Sequence, residues 1–329
     1  MTVSRFLRSP ERVSASTGQH ISRALQETGY TPNLQAGSLA SGRSQAVAVI
    51  VPNIAHSIFA DTLHGLGTGL QALGLHMLVL SSDYSLAQEE SHVRTVLGWA
   101  PAAVVVTGRH HLPATQQLLL DAQARGTPIV EMWDQSPPGE TPTFTQIGMA
   151  HAQVGAAMAS ALLERGYPRL CFMNSPVAGD IRALERCEGF MAQARRAGVP
   201  VSSLDVLPGD LVEMSRQRFA DWHAAQNSAN FLPCGMGFAN DLLGTGALLQ
   251  AHALGYRLPQ DLGLLGFGDF PAGRYCHGGL NTMHIDGERI GHMCAEHIAT
   301  QRQLQRTSVL NTQRPQQISL EPRLVWRDF

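Results

Sequence analysis

The chain has 329 residues, 44% of them hydrophobic and 15% charged, and a formal net charge of −2. That length suffices for two domains with full cores, and the composition is that of a globular chain, not a disordered one. No apolar run reaches membrane-spanning length, no apolar export signal opens the chain, and the scattered Cys171, Cys187, Cys234, Cys276 and Cys294 form neither a zinc pattern nor a disulfide framework, so reduced thiols in the cytoplasm are expected.

The first 43 residues carry five arginines, two glutamates and no aspartate, a charge of +3 that leaves −5 for the rest. A small basic head on an acidic body suggests a polyanion partner for the head. A short helical pattern covers Met1–Arg8. Ser14 reads as the N-cap of a second helix that runs to Gly29. A Gly/Ser/Ala-rich segment then surrounds Leu39.

From Ala46 onward, strands and helices alternate. Ala46–Val51, Met77–Leu80, Ala103–Val106 and Ile129–Met132 read as buried parallel strands. Helical patterns at Phe59–Leu73, Glu89–Leu97 and Thr115–Ala124 separate them. The pattern breaks near Gln146–Met149 and restarts, with helices over Ala152–Glu164, Ile181–Ala197 and Leu242–Leu254. Strands over Arg169–Met173, Gly235–Phe238 and Gly263–Phe267 alternate with them. A helix over Ile290–Arg302 and a strand near Pro322–Trp326 follow, so the chain is expected to cross between two α/β halves more than once.

Several segments together resemble the lac-repressor (LacI/GalR) family of transcriptional regulators. These are Thr2-Val-Ser-Arg5, Val13-Ser14, Thr17, Gly29-Tyr30-x-Pro32-Asn33, Ala36 and Leu39, then Gly166-Tyr-Pro-Arg169, Arg186-Cys-Glu-Gly-Phe190, Asn240-Asp241, Gly246-Ala-Leu248, Gly266-Phe-Gly-Asp269 and Leu324-Val-Trp-Arg327. The resemblance implies two Rossmann-like lobes of the periplasmic-binding-protein type. They follow a partial all-α helix-turn-helix headpiece and a hinge helix. It divides the chain into 1–43, headpiece and hinge, and 44–329, an effector-binding and dimerisation domain. Lobe one is about 44–147 and 285–311; lobe two is about 148–284 and 312–329. The matching pattern starts inside the family's recognition helix, which gives the expectation that Met1 is internal to a longer reading frame.

On the head, Thr2, Ser4, Arg5, Arg8 and Arg12 are candidates for phosphate and base-edge contacts; the alternative is a solvated helix face. The resemblance adds Asn33, Ala36 and Leu39 to the DNA contacts and implies that Leu39 wedges into the minor groove; the alternative is a flexible linker. In the body, ligands of open α/β sheets sit at the carboxyl ends of strands. Candidates there are Ile58, Phe59, Asp83, His110, Trp133, Arg182, Arg186, Asn240 and Asp269, with Phe59 and Trp133 equally readable as core aromatics. Family members often carry Gly-Phe-Asp-Asp where this chain has Gly266-Phe-Gly-Asp269, as a gluconate-operon subgroup does. Losing that carboxylate suits an anionic ligand, which it would repel. Arg182 and Arg186, four apart on one helix face, suit a carboxylate clamp. No motif supports catalysis, a cofactor or a metal. The expected function is a homodimeric repressor of a pseudo-palindromic operator, controlled by a sugar acid such as gluconate or a phosphorylated relative, over a neutral hexose. A sugar-binding module or decayed regulator without DNA-binding activity is the alternative.

Overall fold

A computed structural model describes residues 2–8, 10–30, 44–54, 58–226, 231–306 and 314–327. The chain divides into two compact units, Met1–Ser44 and Gln45–Phe329.

In the first unit, α1 (Thr2–Arg8) and α2 (Ala15–Thr28) flank a 3-10 turn over Pro10–Arg12 that the sequence pattern did not suggest. The Ser14 hydroxyl accepts from the Thr17 N–H and so caps one of the four orphan donors of α2. Gly29 closes the helix in the left-handed conformation, φ 61°, where a side chain would be strained. Phe6 packs on Gly18, whose missing Cβ leaves room for the ring.

The second unit opens with β1 (Ala46–Val51), α3 (Ala60–Ala72), β2 (His76–Ser81), α4 (Leu86–Leu97), β3 (Ala103–Thr107), α5 (Pro113–Ala124), β4 (Ile129–Met132) and β5 (Thr145–Gly148). It continues with α6 (His151–Glu164), β6 (Leu170–Asn174), α7 (Ile181–Arg196), β7 (Val201–Asp205), α8 (Leu211–Ala224), β8 (Cys234–Phe238), α9 (Asp241–Ala253), β9 (Leu262–Phe267) and the short α10 (Pro271–Tyr275). Then come β10 (Asn281–His284), α11 (Gly287–Arg306), β11 (Gln317–Ser319) and β12 (Arg323–Val325). Among the described residues the strands form two six-stranded sheets, ordered β11-β5-β4-β3-β1-β2 and β12-β10-β9-β8-β6-β7. All pairings are parallel except β10 with β12. The strand order reverses beside β1 in one sheet and beside β6 in the other. Those two switch points are where such sheets leave a crevice.

The chain passes between the sheets after β5, after β10 and again after β11. The last passage corrects the expected boundary. Residues 312–329 were assigned to lobe two, yet Gln317–Ser319 pairs with Gln146–Gly148 in the first sheet, and the second sheet is rejoined only at Arg323. Five further elements were not expected: β5, β7, α8, α10 and β10.

Glycines set the helix packing in both halves. A Cβ on Gly155 of α6 would fall 1.9 Å from the Arg186 carbonyl oxygen, and one on Gly189 of α7 would fall 1.9 Å from that of Ala152. In the other half a Cβ on Gly65 of α3 would meet the Glu288 carbonyl oxygen at 2.2 Å, and one on Gly291 of α11 that of Thr62 at 2.1 Å. In each pair the two backbones touch where side chains would hold them apart.

Candidate ligand site at the facing strand ends

The head presents Thr2, Arg5 and Arg12 as exposed residues, and the Arg12 guanidinium lies 3.8 Å from the equally exposed Glu11 carboxylate. Ser4 and Arg8 lie on α1. Asn33, Ala36 and Leu39 lie outside the described residues.

In the second unit, the exit of β3 faces the first turns of α7. Gly108, with φ 92°, lets the Arg182 side chain lie across it: a Cβ there would be 2.7 Å from Arg182 Nη1. Arg182 Nη1 donates to the Thr107 carbonyl at 3.4 Å. The Arg109 guanidinium pairs with Asp134 (Nε–Oδ1 3.3 Å) and, more tightly, with Glu185 of α7. His110 Nε2 reaches the same Glu185 oxygen at 3.1 Å. Burial pushes the Asp134 carboxyl up to about 6 despite the opposing field of Arg182. Burial would also raise Glu185, but hydrogen bonds from His110 and Arg109 outweigh it and hold that carboxyl below its ordinary range.

Beneath these groups lies Arg186, 5% exposed. Its Nη1 donates to His151 Nδ1 at 2.8 Å and its Nη2 to the Ala239 carbonyl at 2.9 Å. Its guanidinium stacks 4.1 Å above the Phe267 ring. Its Nε is buried without an acceptor. Burial lowers its pKa to about 10. Among the described residues, no carboxylate lies within 4.0 Å of the guanidinium of either Arg182 or Arg186. The charge that acts most favourably on Arg186 is that of the buried Asp180, the N-cap of α7, which does not reach it as an ion pair.

The remaining candidates divide. Ile58 stands at the crevice: a Cβ on Gly268 would lie 3.3 Å from Ile58 Cδ1 and 2.7 Å from the Phe270 ring. Gly268 also has φ 122°, so backbone and neighbours both exclude a carboxylate side chain there. Asn240 caps α9, its Oδ1 accepting from Leu242 and Leu243 N–H at 3.1 Å each, and among the described residues its amide nitrogen has no acceptor. Trp133 and Phe59 are 2% and 3% exposed and pack edge to face at 5.5 Å. Trp133 Nε1 donates to Thr62 Oγ1 at 2.9 Å, so both rings belong to the wall beneath the crevice and offer little surface to a ligand. Asp83 is exposed, with φ 47°. Asp269 has its carboxylate taken by Arg327, by Arg274 at 3.0 Å and by His284 at 3.1 Å. Those partners tie the exit of β9 to the chain on either side of the passages between sheets.

Four contributors escaped the sequence reading. Arg109 and Glu185 meet only because the two sheets face each other. His151 is a helix-start residue whose neighbours are all distant in the chain. Tyr84, with φ 61°, places its carbonyl where a Cβ on Gly179 would be only 2.5 Å away, closing the crevice from the β2 side. Only Arg109 left a local signal, a basic residue following a glycine at a strand exit.

The profile described as "Bacterial regulatory proteins, lacI family" matches residues 1–33, and that of a periplasmic binding protein-like domain matches residues 159–328. The HTH-type transcriptional regulator GntR of Pseudomonas aeruginosa is 32% identical over 301 residues, covering 91% of this chain and 84% of its own. The regulator of the same name from Escherichia coli K12 is 27% identical, over 91% of this chain and 86% of its own. A crystal structure of a LacI family transcriptional regulator from Silicibacter pomeroyi superimposes with a TM-score of 0.85 at 31% identity, covering 100% of this chain and 94% of that one. Among the described residues no helix is long and apolar enough to cross a membrane.

Proposed function

The chain belongs to the lacI family of bacterial regulatory proteins, and from that premise we propose that it is a cytoplasmic, homodimeric repressor whose operator binding is controlled by a sugar acid such as gluconate. The regulators it is similar to are named as transcriptional regulators, not enzymes. The basic head, with Arg5 and Arg12 exposed, supplies groups for phosphate and base contacts. One recognition helix reads one half-site, so a two-fold partner matches a pseudo-palindromic operator.

The observation that carries the effector class is the unpaired pair of guanidiniums. A buried arginine with an orphaned Nε and no carboxylate partner is costly unless an anion completes it. Arg182 and Arg186 together offer donors for a bidentate carboxylate bond. Gly268 removes the side chain that would repel such a ligand. The Asn240 amide is left to donate to hydroxyls.

Titration calorimetry with gluconate and with glucose tests the reading. Binding of gluconate, absent or far weaker for glucose, is expected. Tight binding of the neutral sugar with no response to aldonates would overturn the assignment. A fluorescent operator fragment released or recruited by the same ligand connects that site to the head.

A further inference from the structure

The loop between β2 and α4 reaches across to the start of α7. Asp83 and Tyr84 both hold the left-handed backbone conformation, φ 47° and 61°, which residues other than glycine rarely adopt. Ser81 Oγ donates to Asp83 Oδ1 at 3.0 Å, and Ser85 caps α4 by accepting from the Gln88 N–H, so both flanks of this turn are fixed. The turn sets Tyr84 against Gly179: a Cβ on that glycine would lie 2.5 Å from the Tyr84 carbonyl oxygen and 3.7 Å from its Cβ. Gly179 directly precedes Asp180, the N-cap of α7, whose carboxylate accepts from the Ala183 N–H at 3.2 Å. The half-buried Tyr84 phenol lies in the fields of Asp180, Arg182 and Arg186 together. Burial, helped by Asp180, pushes its pKa up to about 12, so the phenol stays protonated at neutral pH and can donate. Among the described residues its hydroxyl has no hydrogen-bond partner.

We propose that Tyr84 is an effector-binding residue: from the side of the first sheet it donates its phenolic hydrogen to the acid group that Arg182 and Arg186 hold from the second, so that the bound anion bridges the two lobes beside the Tyr84–Gly179 contact. This rests on the anionic-effector reading above and names the group that the opposite lobe adds to that site. Two guanidiniums on one helix hold a carboxylate without any reference to the first sheet. The buried Arg186 Nε, without an acceptor, marks the place where the anion's oxygens are wanted. A phenol that donates to a carboxylate makes a charge-assisted hydrogen bond, about twice as strong as a neutral one. Because the phenol senses both arginines, the assignment holds whichever way the rest of the ligand runs. Backbone strain of the kind seen at Asp83 and Tyr84 persists where a ligand clamp requires it.

The test is titration calorimetry of the full chain and of Tyr84→Phe with gluconate, with thermal unfolding as a check on folding. Phenylalanine removes the hydroxyl and keeps the ring and the turn. Losing one hydrogen bond to a charged group should weaken gluconate binding by about tenfold or more. Gly179→Ala is the second variant: its methyl pushes the Tyr84 carbonyl away and should weaken gluconate too. Gly166→Ala, at φ 87° against 86° for Gly179 and with nothing within 4 Å, carries the same backbone strain without the clash and should bind gluconate like the wild type. A folded Tyr84→Phe with wild-type affinity overturns the assignment and leaves the anionic-effector reading standing. So does Gly179→Ala if it is no weaker than Gly166→Ala. If the wild-type chain binds no aldonate, the anionic-effector reading fails and the assignment with it.

Discussion

His151 Nδ1 lies 2.8 Å from Arg186 Nη1, and this contact fixes the state of the imidazole. A guanidinium can only donate, so Nδ1 accepts. The proton is then on Nε2, which donates to the Trp133 carbonyl at 2.7 Å. Burial, reinforced by the charge of Arg186, pushes the His151 pKa well below its ordinary value and keeps the ring neutral. The chain Trp133–His151–Arg186–Ala239 therefore runs from the exit of one sheet to the exit of the other without a carboxylate.

Arg186 consequently has a structural share beside the binding share proposed for it. Arg186→Met leaves His151 Nδ1 and the Ala239 carbonyl buried without a donor, at about 1–3 kcal/mol for each orphaned group. The urea midpoint should fall accordingly with an unchanged slope. Arg182→Met, whose one bond to the body is long at 3.4 Å, should keep the midpoint nearly unchanged and still abolish binding of the acid. If Arg182→Met binds gluconate like the wild type, Arg182 is not its anchor.

The helix crossing at Gly155 and Gly189 gives a prediction in which two effects oppose. Alanine in place of glycine favours a helix by about 1 kcal/mol. Here the added methyl would overlap a carbonyl oxygen of the opposite helix, 1.9 Å from its centre, and backbone cannot rotate away as a side chain can. Gly155→Ala and Gly189→Ala should therefore each destabilise, by about 1–3 kcal/mol or more from overpacking. Gly74, with φ 66° and nothing within 4 Å of its would-be Cβ, is the control for backbone strain without a clash. Denaturant unfolding of the three variants separates the two causes.

The same glycines mark what could and could not be seen in the sequence. Gly65 and Gly69 lie within a helical pattern, and their close approach is to Glu288 and Ala295 of α11, more than 200 residues away. Strand β1 was placed at its observed ends because burial on both faces demands an unbroken apolar run. β5 and β10 were missed because their polar residues are buried for reasons that lie elsewhere. Gln146 donates to Glu131 at 2.7 Å, and Thr282 to Asp241 at 2.7 Å. β7 is a sheet edge in which Ser202 and Ser203 are exposed. For α8 a signal was present and unused: Asp210 three residues before Glu213 is a capping pattern, and Asp210 does accept from the Glu213 N–H at 2.9 Å. In the crevice, the strand-end rule points to loops that the structure brings to the facing strand ends, and the absence of a carboxylate at Gly268 and the arginine spacing are both readable in the sequence. Which candidates were engaged with the protein itself was not, since the partners of Asp269 and Arg186 come from distant segments.

A buried ionic cluster behind the site predicts how stability changes with pH. His111 Nδ1 lies 2.7 Å from Glu89, and its Nε2 is 3.3 Å from Glu131, near enough for ion pairing but poorly aligned for a hydrogen bond. Burial disfavours its charge, but the two carboxylates outweigh burial and raise its pKa to about 9. A raised folded pKa means that the stabilisation is fully present below the unfolded value of about 6.5 and disappears as pH rises through 9. The loss should be on the order of 2–3 kcal/mol between pH 7 and 9.5. His111→Gln should be less stable at pH 7 and lack the decline. A wild-type chain equally stable at both pH values would show that the imidazole is neutral in the folded state.

The head and the crevice should be separable by mutation. Arg5 is exposed on α1, in a unit whose own charge is positive. A bidentate arginine–guanine contact discriminates by about 1–3 kcal/mol. Arg5→Ala should therefore weaken binding to the operator by that amount and relax preference at one base pair, while gluconate titration stays unchanged. If Arg5 instead holds only a phosphate, the loss will be uniform across DNA sequences, and the slope of log affinity against log salt will fall by about one. The complementary variant, Arg182→Met, should bind operator normally and ignore the acid. The two together measure the coupling, which in allosteric proteins typically amounts to about 1–3 kcal/mol and is reciprocal. Operator DNA must shift gluconate affinity in the wild-type chain by the same factor by which gluconate shifts operator affinity. A chain in which gluconate binds but neither ligand alters the other would be a binding module and not a regulator.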